Sequence, residues 1–552
     1  METPNEITQK VEEQENLQFG DLFTRMDEDF ELWNMTQPPV TAYEAGVQSR
    51  SKAHASDIDV VSNDLRTFSD SVQSILASAD MQPRVRMAET TGEDKREDIG
   101  KLERLFTFAF EKADERLRRL LLPPVRETEI WYSLIRGWVA IRVLVYRDGG
   151  NVIFNFMPLD PRRLVYQTGA NGLLWVAHKT SRTRVAIEDE YGVKVSDEKD
   201  NTVIDYWNLE DSRIWNKIIC KDFFLKEPEV MDVPSMPILI MPVSTRPPVG
   251  DNAKDYGESI FAPTRKVNAL RNRFASIVAT HASLLANQPV LNYRDDMGKD
   301  IDLLVNVPGR VLNLPMGHNR VEVSPMKEIS PTVVNILNWL NSQMEQGTLP
   351  KIPLGPQFPS GTMYNLAESV GTRIFNPQLR NLSYFYADIC HLIEEQLIAG
   401  KLKVKVQGKE KDKYYETQVT PVDLKKPHTI SVEFTARTPW SELDAYQVAD
   451  MAKRLGVPDE WIWENILKFP DPKGMKDLAS IEIAEHSPKL AMYNSVQSLI
   501  RYGRLEEALQ LMEDLAKLEM QEQQQTQIPQ GMTETRVPPA GQPPAPPAEE
   551  YV

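Results

Sequence analysis

Asp295, Asp296, Asp300 and Asp302 fall within one short stretch, a density of carboxylates that can hold a divalent cation for hydrolysis of a phosphodiester. Arg294 and Lys299 sit among them, and a solvated turn explains such a cluster without any metal. The seven histidines, at 54, 178, 281, 318, 391, 428 and 486, are scattered, with no pair close enough to suggest a local metal site. The two cysteines, Cys220 and Cys390, lie too far apart to suggest a disulfide framework or a thiolate metal site, and are expected to be buried apolar fillers. The sequence contains no G-x-x-x-x-G-K-[ST], G-x-G-x-x-G, H-E-x-x-H, C-x-x-C or G-x-S-x-G motif and no calcium loop. The residues therefore read as structural, without an enzyme's equipment and without a cofactor.

Composition narrows the class further. With 552 residues, 41% of them hydrophobic, the chain has apolar material for several cores. A formal net charge of −17 lacks the basic balance of a protein that grips nucleic acid by releasing counterions. Met1 begins an acidic, polar stretch, and no apolar run is long enough to span a bilayer, so the chain is expected to be neither secreted nor membrane-bound.

The elements follow from periodicity. After a lead-in over residues 1–18, Phe19, Leu22, Phe23, Met26, Phe30 and Trp33 recur at helical spacing. Residues 98–122 repeat the pattern and end in Arg116, Arg118 and Arg119, cations that suit a helix C-terminus. From about residue 138 the period becomes that of strands, Val139–Tyr146, Val152–Met157, Leu164–Gln167, Leu173–Lys179, Val203–Asn208, Ile214–Phe224 and Pro237–Val243, which reads as one antiparallel meander. Residues 259–288 predict a long helix whose apolar stripe runs through Val267, Leu270, Phe274, Ile277, His281 and Leu284. It carries Arg265, Lys266, Arg271 and Arg273 and no acidic residue. Short strands and turns follow to residue 330, with Val305–Leu314 and Arg320–Val323 the predicted strands. A second helix is predicted from Pro331, capped by Ser330. Thr348–Thr362 is a loop with four prolines and two glycines. Residues 363–399 predict helix interrupted at Asn376-Pro377, 401–434 predict lysine-rich strands, and helix resumes beyond Pro439 to about Met520. Residues 520–552, rich in proline and glutamine, are expected to be disordered.

This order, an α/β region, a long helix, a small β module, a second helix, a proline-glycine loop, a kinked helix and a helical end, resembles the portal proteins of tailed bacteriophages. Phe156-Met157-Pro158-Leu159-Asp160-Pro161-Arg162-Arg163 with Tyr166 and Gly169 looks like the family's wing strand pair. Tyr256-Gly257-Glu258-Ser259-Ile260-Phe261 looks like the lead into its first stem helix. Val432 to Pro439, Leu455-Gly456-Val457-Pro458 and Asp471-Pro472 are similar to its segment after the kinked helix.

The resemblance implies an α+β, multi-domain portal fold. In it, residues 19–257 would be the wing, 258–288 the first stem helix, 289–330 the clip and 331–347 the second stem helix. Residues 348–362 would be the tunnel loop, 363–435 the remainder of the wing and 436–519 the crown. It implies a non-enzymatic subunit of a twelve-fold ring at one capsid vertex of the virion, assembled in the host cytoplasm, through which double-stranded DNA is packaged and ejected without sequence recognition. Its implied partners are further copies of itself, terminase, major capsid and scaffolding proteins, and head-to-tail connector or adaptor proteins, with no membrane. Arg294, Asp295, Asp296, Lys299, Arg310 and Arg320 would dock terminase and connectors from the clip. Lys351, Gln357, Phe358 and Ser360 would meet the DNA from the tunnel loop, and Arg265, Lys266, Arg271 and Arg273 would line the stem. A ring of twelve would carry about 200 formal negative charges, which keep a moving duplex from adhering. Two other readings are a different ring-forming head or connector protein, and a DNA-processing enzyme holding a metal at the four clip carboxylates.

Overall fold

The computed structural model describes residues 2–36, 58–87, 93–170, 172–195, 200–243, 253–286, 290–293, 320–323, 329–348, 376–410, 413–435 and 439–459, with a few isolated positions beyond. Contacts divide the chain into two units, residues 1–441 and 442–552.

The first unit is a mixture of helix and sheet of the α+β class, and every described strand pair in it is antiparallel. It opens with α1 (Pro4–Gln14), where the Thr3 hydroxyl accepts from the Glu6 amide and the Glu6 carboxylate accepts from the Thr3 amide at 2.8 Å. Ile7 and Val11, one turn apart, are fully buried. The stretch expected as a flexible lead-in thus carries a packed helix. The Thr3-x-x-Glu6 cap and the Ile7/Val11 spacing were its signals. A wider turn at Glu15–Phe19 leads into α2 (Gly20–Asn34), which buries Leu22, Phe23 and Met26 as the periodicity predicts.

There follow α3 (Asp64–Ser78), β1 (Asp80–Met87), α4 (Glu93–Arg119) and α5 (Val125–Ile135). The strands β2 (Trp138–Asp148) and β3 (Asn151–Pro158) form a hairpin closed by Gly149 and Gly150, both at positive φ. Next come β4 (Leu164–Gly169), β5 (Gly172–Arg182), α6 (Arg184–Tyr191), β6 (Asn201–Glu210), β7 (Arg213–Cys220), β8 (Phe223–Met231) and β9 (Ile238–Pro242). Strands β4 to β8 make a five-stranded meander, whereas β9 leaves it to pair with β2 in a separate sheet of order β3-β2-β9. Two expectations are corrected here. The meander is two sheets, and Ile214–Phe224 is two strands, because the chain reverses at Lys221-Asp222. Lys221 adopts φ 56 there, a turn without the glycine or asparagine that announces most hairpins.

The unit continues through α7 (Arg265–Ala286), β10 (Val290–Tyr293), β11 (Arg320–Val323), α8 (Pro331–Gly347), α9 (Asn376–Ala399), β12 (Val404–Glu410), β13 (Lys413–Val419) and β14 (His428–Thr435). The helix predicted for 259–288 begins six residues later than expected, after turns at 260–264. Strand β14 returns to pair with β1, Asp80 facing Thr435. One core joins α3, α4, α5 and α9 to the β2–β3 sheet, with Leu105, Phe106, Phe156, Phe385 and Ile389 at its centre. A second packs α1 and α2 onto the meander through Phe19, Trp175 and Tyr206. Cys220 and Cys390 are both buried thiols, as expected.

Glu129 on α5 is fully buried in the first of these cores with neither carboxyl oxygen hydrogen-bonded, and loss of water pushes its carboxyl well above the usual range. The folded state therefore holds a proton that the unfolded chain releases near the ordinary value of 4.5. Stability falls as pH rises from there toward the folded value. Glu129→Gln is expected to flatten that fall and raise stability at neutral and alkaline pH, read as denaturation midpoints from acid to alkaline pH. An unchanged profile would mean that the carboxyl ionises freely in the fold.

In the second unit the described residues include most of α10 (Pro439–Arg454). It ends at Gly456, φ 82, where the Gly456 amide donates to the Lys453 carbonyl and the Val457 amide to that of Ala452. Most of the helix expected up to Met520, and all of the tail from residue 520, lies outside the described residues.

Candidate functional site

The first stem helix of the sequence reading, α7, is fixed to the α/β body at its N-terminal end. There two glycines in left-handed conformation, Gly137 and Gly257, back onto each other. A Cβ on Gly137 would lie 2.5 Å from the Glu258 carbonyl carbon, and one on Gly257 2.5 Å from the Gly137 oxygen. Backbone bonds from Val243 to Gly137 and from Ile260 to Leu134 (2.9 Å each) stitch the same segment to β2 and α5. The Arg25 guanidinium donates to the carbonyls of Lys254 (2.6 Å) and Gly257 (2.7 Å), closing the turn that leads into the helix.

The basic residues of α7 have partners inside the subunit. Arg265 makes a two-pronged bond to Asp29, Nε to Oδ1 at 2.7 Å and a terminal nitrogen to Oδ2 at 2.8 Å, and Asp29 is only 1% exposed. Arg271 bonds Asp64 and the Ser62 hydroxyl, and Lys266 is exposed. Two of the four cations proposed to line the stem are thus met within the subunit, by Asp29 on α2 and Asp64 on α3. Arg273 also lies on α7, half-buried.

The predicted inner and outer faces of α7 are corrected as well. Asn268, Asn272 and Ser276, spaced by four, are buried, whereas Leu270 and Ile277 are 41% and 51% exposed. The polar stripe takes up an extended segment of the same chain. The amides of Ile58, Val60 and Ser62 donate to Thr280 Oγ1 (3.0 Å), Ser276 Oγ (2.9 Å) and Asn272 Oδ1 (3.3 Å). Four helical residues rise about 6 Å and two extended residues about 6.6 Å, so three rungs stay in step. Nothing in the periodicity of 259–288 announces a partner more than two hundred residues away.

Helix α7 packs on α8, which buries Leu340 and Met344 and leaves Val334 and Trp339 exposed, Trp339 by 58%. Between the two helices, β10 pairs with β11, Val290 facing Val323 and Tyr293 facing Arg320. Arg320 is the one proposed clip residue that the structure describes. Arg294, Asp295, Asp296, Lys299 and Arg310, with Asp300 and Asp302, lie outside the described residues, as do Lys351, Gln357, Phe358 and Ser360.

Among the described residues no three histidine, cysteine or carboxylate side chains cluster as metal ligands, and no helix is long and apolar enough to cross a membrane. One titratable group joins α9 to β14. His428 Nε2 lies 2.6 Å from Glu394, whose other oxygen lies 3.7 Å from His391 Nδ1 and raises the pKa of that imidazole above the ordinary value. With His428 nearly all buried, the group is a clasp inside the body.

A scan against protein-family models found no match, and a search of the curated proteins found no similar sequence.

Proposed function

We propose that the chain is a portal protein, the subunit of a ring, about twelve-fold by resemblance, through which a phage genome enters and leaves its capsid. The observation that carries this reading is the pair α7 and α8, packed together and followed at one end by the β10–β11 ladder. This is a helix, a β module and a helix rising from an α/β body. Leu270, Ile277, Val334 and Trp339 stand exposed on that pair, which is apolar surface that a neighbouring copy would cover. In this reading residues 19–257 and 363–435 make up the body of the wing, α7 and α8 are the stem, and residues 289–330 are the clip that meets terminase and later the connectors. Thr348–Thr362 is the tunnel loop, and the acidic surface lets DNA slide without sticking.

Charge reversal of Arg294 and Lys299 tests the clip assignment. Rings are expected to assemble normally while the packaging motor docks several-fold more weakly, as rim charges steer association. Undiminished packaging by such rings would remove the clip from the docking surface.

A further inference from the structure

A cleft of about 1320 Å³ opens between the last turns of α4, the β2–β3 hairpin and the start of β12. In a chain of net charge −17 its lining is strongly basic, with Glu115 the only carboxylate among the residues that line it. Glu115 binds Lys112 (2.8 Å) and Arg119 (2.5 Å), and Lys405 reaches Glu416 at 4.0 Å. Arg116, Arg147, Lys401 and Lys403 line the same cleft with no carboxylate partner among the described residues, and the Arg116 Nε is buried without a hydrogen bond. Four such cations lining one cavity make a positive surface that attracts an anionic occupant.

The cleft is also apolar. Phe108, Val152, Phe154 and Leu402 line it between the cations, and Leu120 at its edge is followed by Leu121, which is 94% exposed. A duplex offers phosphates but no apolar side chain to bury, and the volume exceeds the roughly 300–1,000 Å³ of small-molecule sites. An acidic protein segment with apolar anchors meets both halves of the lining. We infer that this cleft docks such a segment from a partner protein, carboxylates on the arginines and lysines and apolar side chains against Phe108 and Leu402.

All the lining residues lie between Phe108 and Gln418, so the inference does not depend on the portal reading, and its test needs neither a ring nor a motor. Three fluorescent probes are titrated against the full-length protein by anisotropy, at low and physiological salt. They are a glutamate-rich peptide with leucine and phenylalanine anchors, a glutamate-glycine peptide of equal charge and length, and a short DNA duplex. The anchored peptide is expected to bind about tenfold more tightly than the glutamate-glycine one, as burial of one anchor would give. Lys401→Glu with Lys403→Glu, both exposed in the structure, should weaken it at least about tenfold without changing the melting profile. Arg147→Glu, on the exposed hairpin, provides the same test should the lysine pair disturb folding. Failure of the anchored peptide to bind at low salt, equal binding of the two peptides, or duplex binding as tight as the anchored peptide's would each overturn the inference.

Discussion

Subunits carrying Leu270→Asp and Ile277→Asp are expected to fold normally and fail to form rings. The two side chains lie two turns apart on α7, are 41% and 51% exposed, and make no contribution to the buried stripe of Asn268, Asn272 and Ser276. An aspartate at either position is therefore harmless in the isolated subunit. At a subunit interface each would bury a carboxylate without a partner, which costs more than the roughly 2–7 kcal/mol of an unpaired neutral polar group, and a closed ring repeats that cost at every interface. Sedimentation should show monomers with the wild-type melting curve, and Trp339→Ala on α8 should act in the same direction through lost contact area. Double-aspartate variants that sediment as wild-type assemblies would show that this face of the stem is not the interface.

Asp29→Ala is expected to act in the opposite way, on the subunit itself. Its carboxylate is 1% exposed and receives both bonds from Arg265, so its removal strands a guanidinium whose side chain keeps only about a quarter of its surface in water. Breaking a buried pair by deleting one partner costs about 3–5 kcal/mol, and the residual exposure of Arg265 puts the expectation at about 3. Glu115→Ala, which removes exposed pairs to Lys112 and Arg119, is the control and should cost under about 1 kcal/mol. Urea denaturation of both variants gives the comparison. Equal losses would mean that the Asp29 pair does not anchor α7 to α2.

How much of this was legible in the sequence varied with the range of the interaction that decides it. Helix α2 was readable because Leu22, Phe23 and Met26 repeat at a period that only a helix puts on one face. Helix α7 was readable in position and in its lack of acidic residues, yet its orientation was not. Leu270 and Ile277 share the apolar spacing of Val267 and Phe274, and what turns them outward is hydrogen bonding of Asn272, Ser276 and Thr280 to the distant segment 58–62. The turn at Lys221 was hidden because a left-handed lysine has no compositional mark. The basic cleft was hidden for a different reason. Arg116 and Arg119 read adequately as partners of a helix dipole, and only the fold brings Arg147, Lys401 and Lys403 beside them. The proposed docking and DNA-facing residues rest on the resemblance in the order of elements alone, and all of them but Arg320 lie outside the described residues.

Electron micrographs of the purified full-length protein, with particle mass measured on the same sample, are the most direct test of the portal reading. Closed rings of about twelve subunits with an open central channel, each showing a stem narrower than its wing, are the expected result. A monodisperse monomer at micromolar concentration and moderate salt, or an open filament, would contradict it.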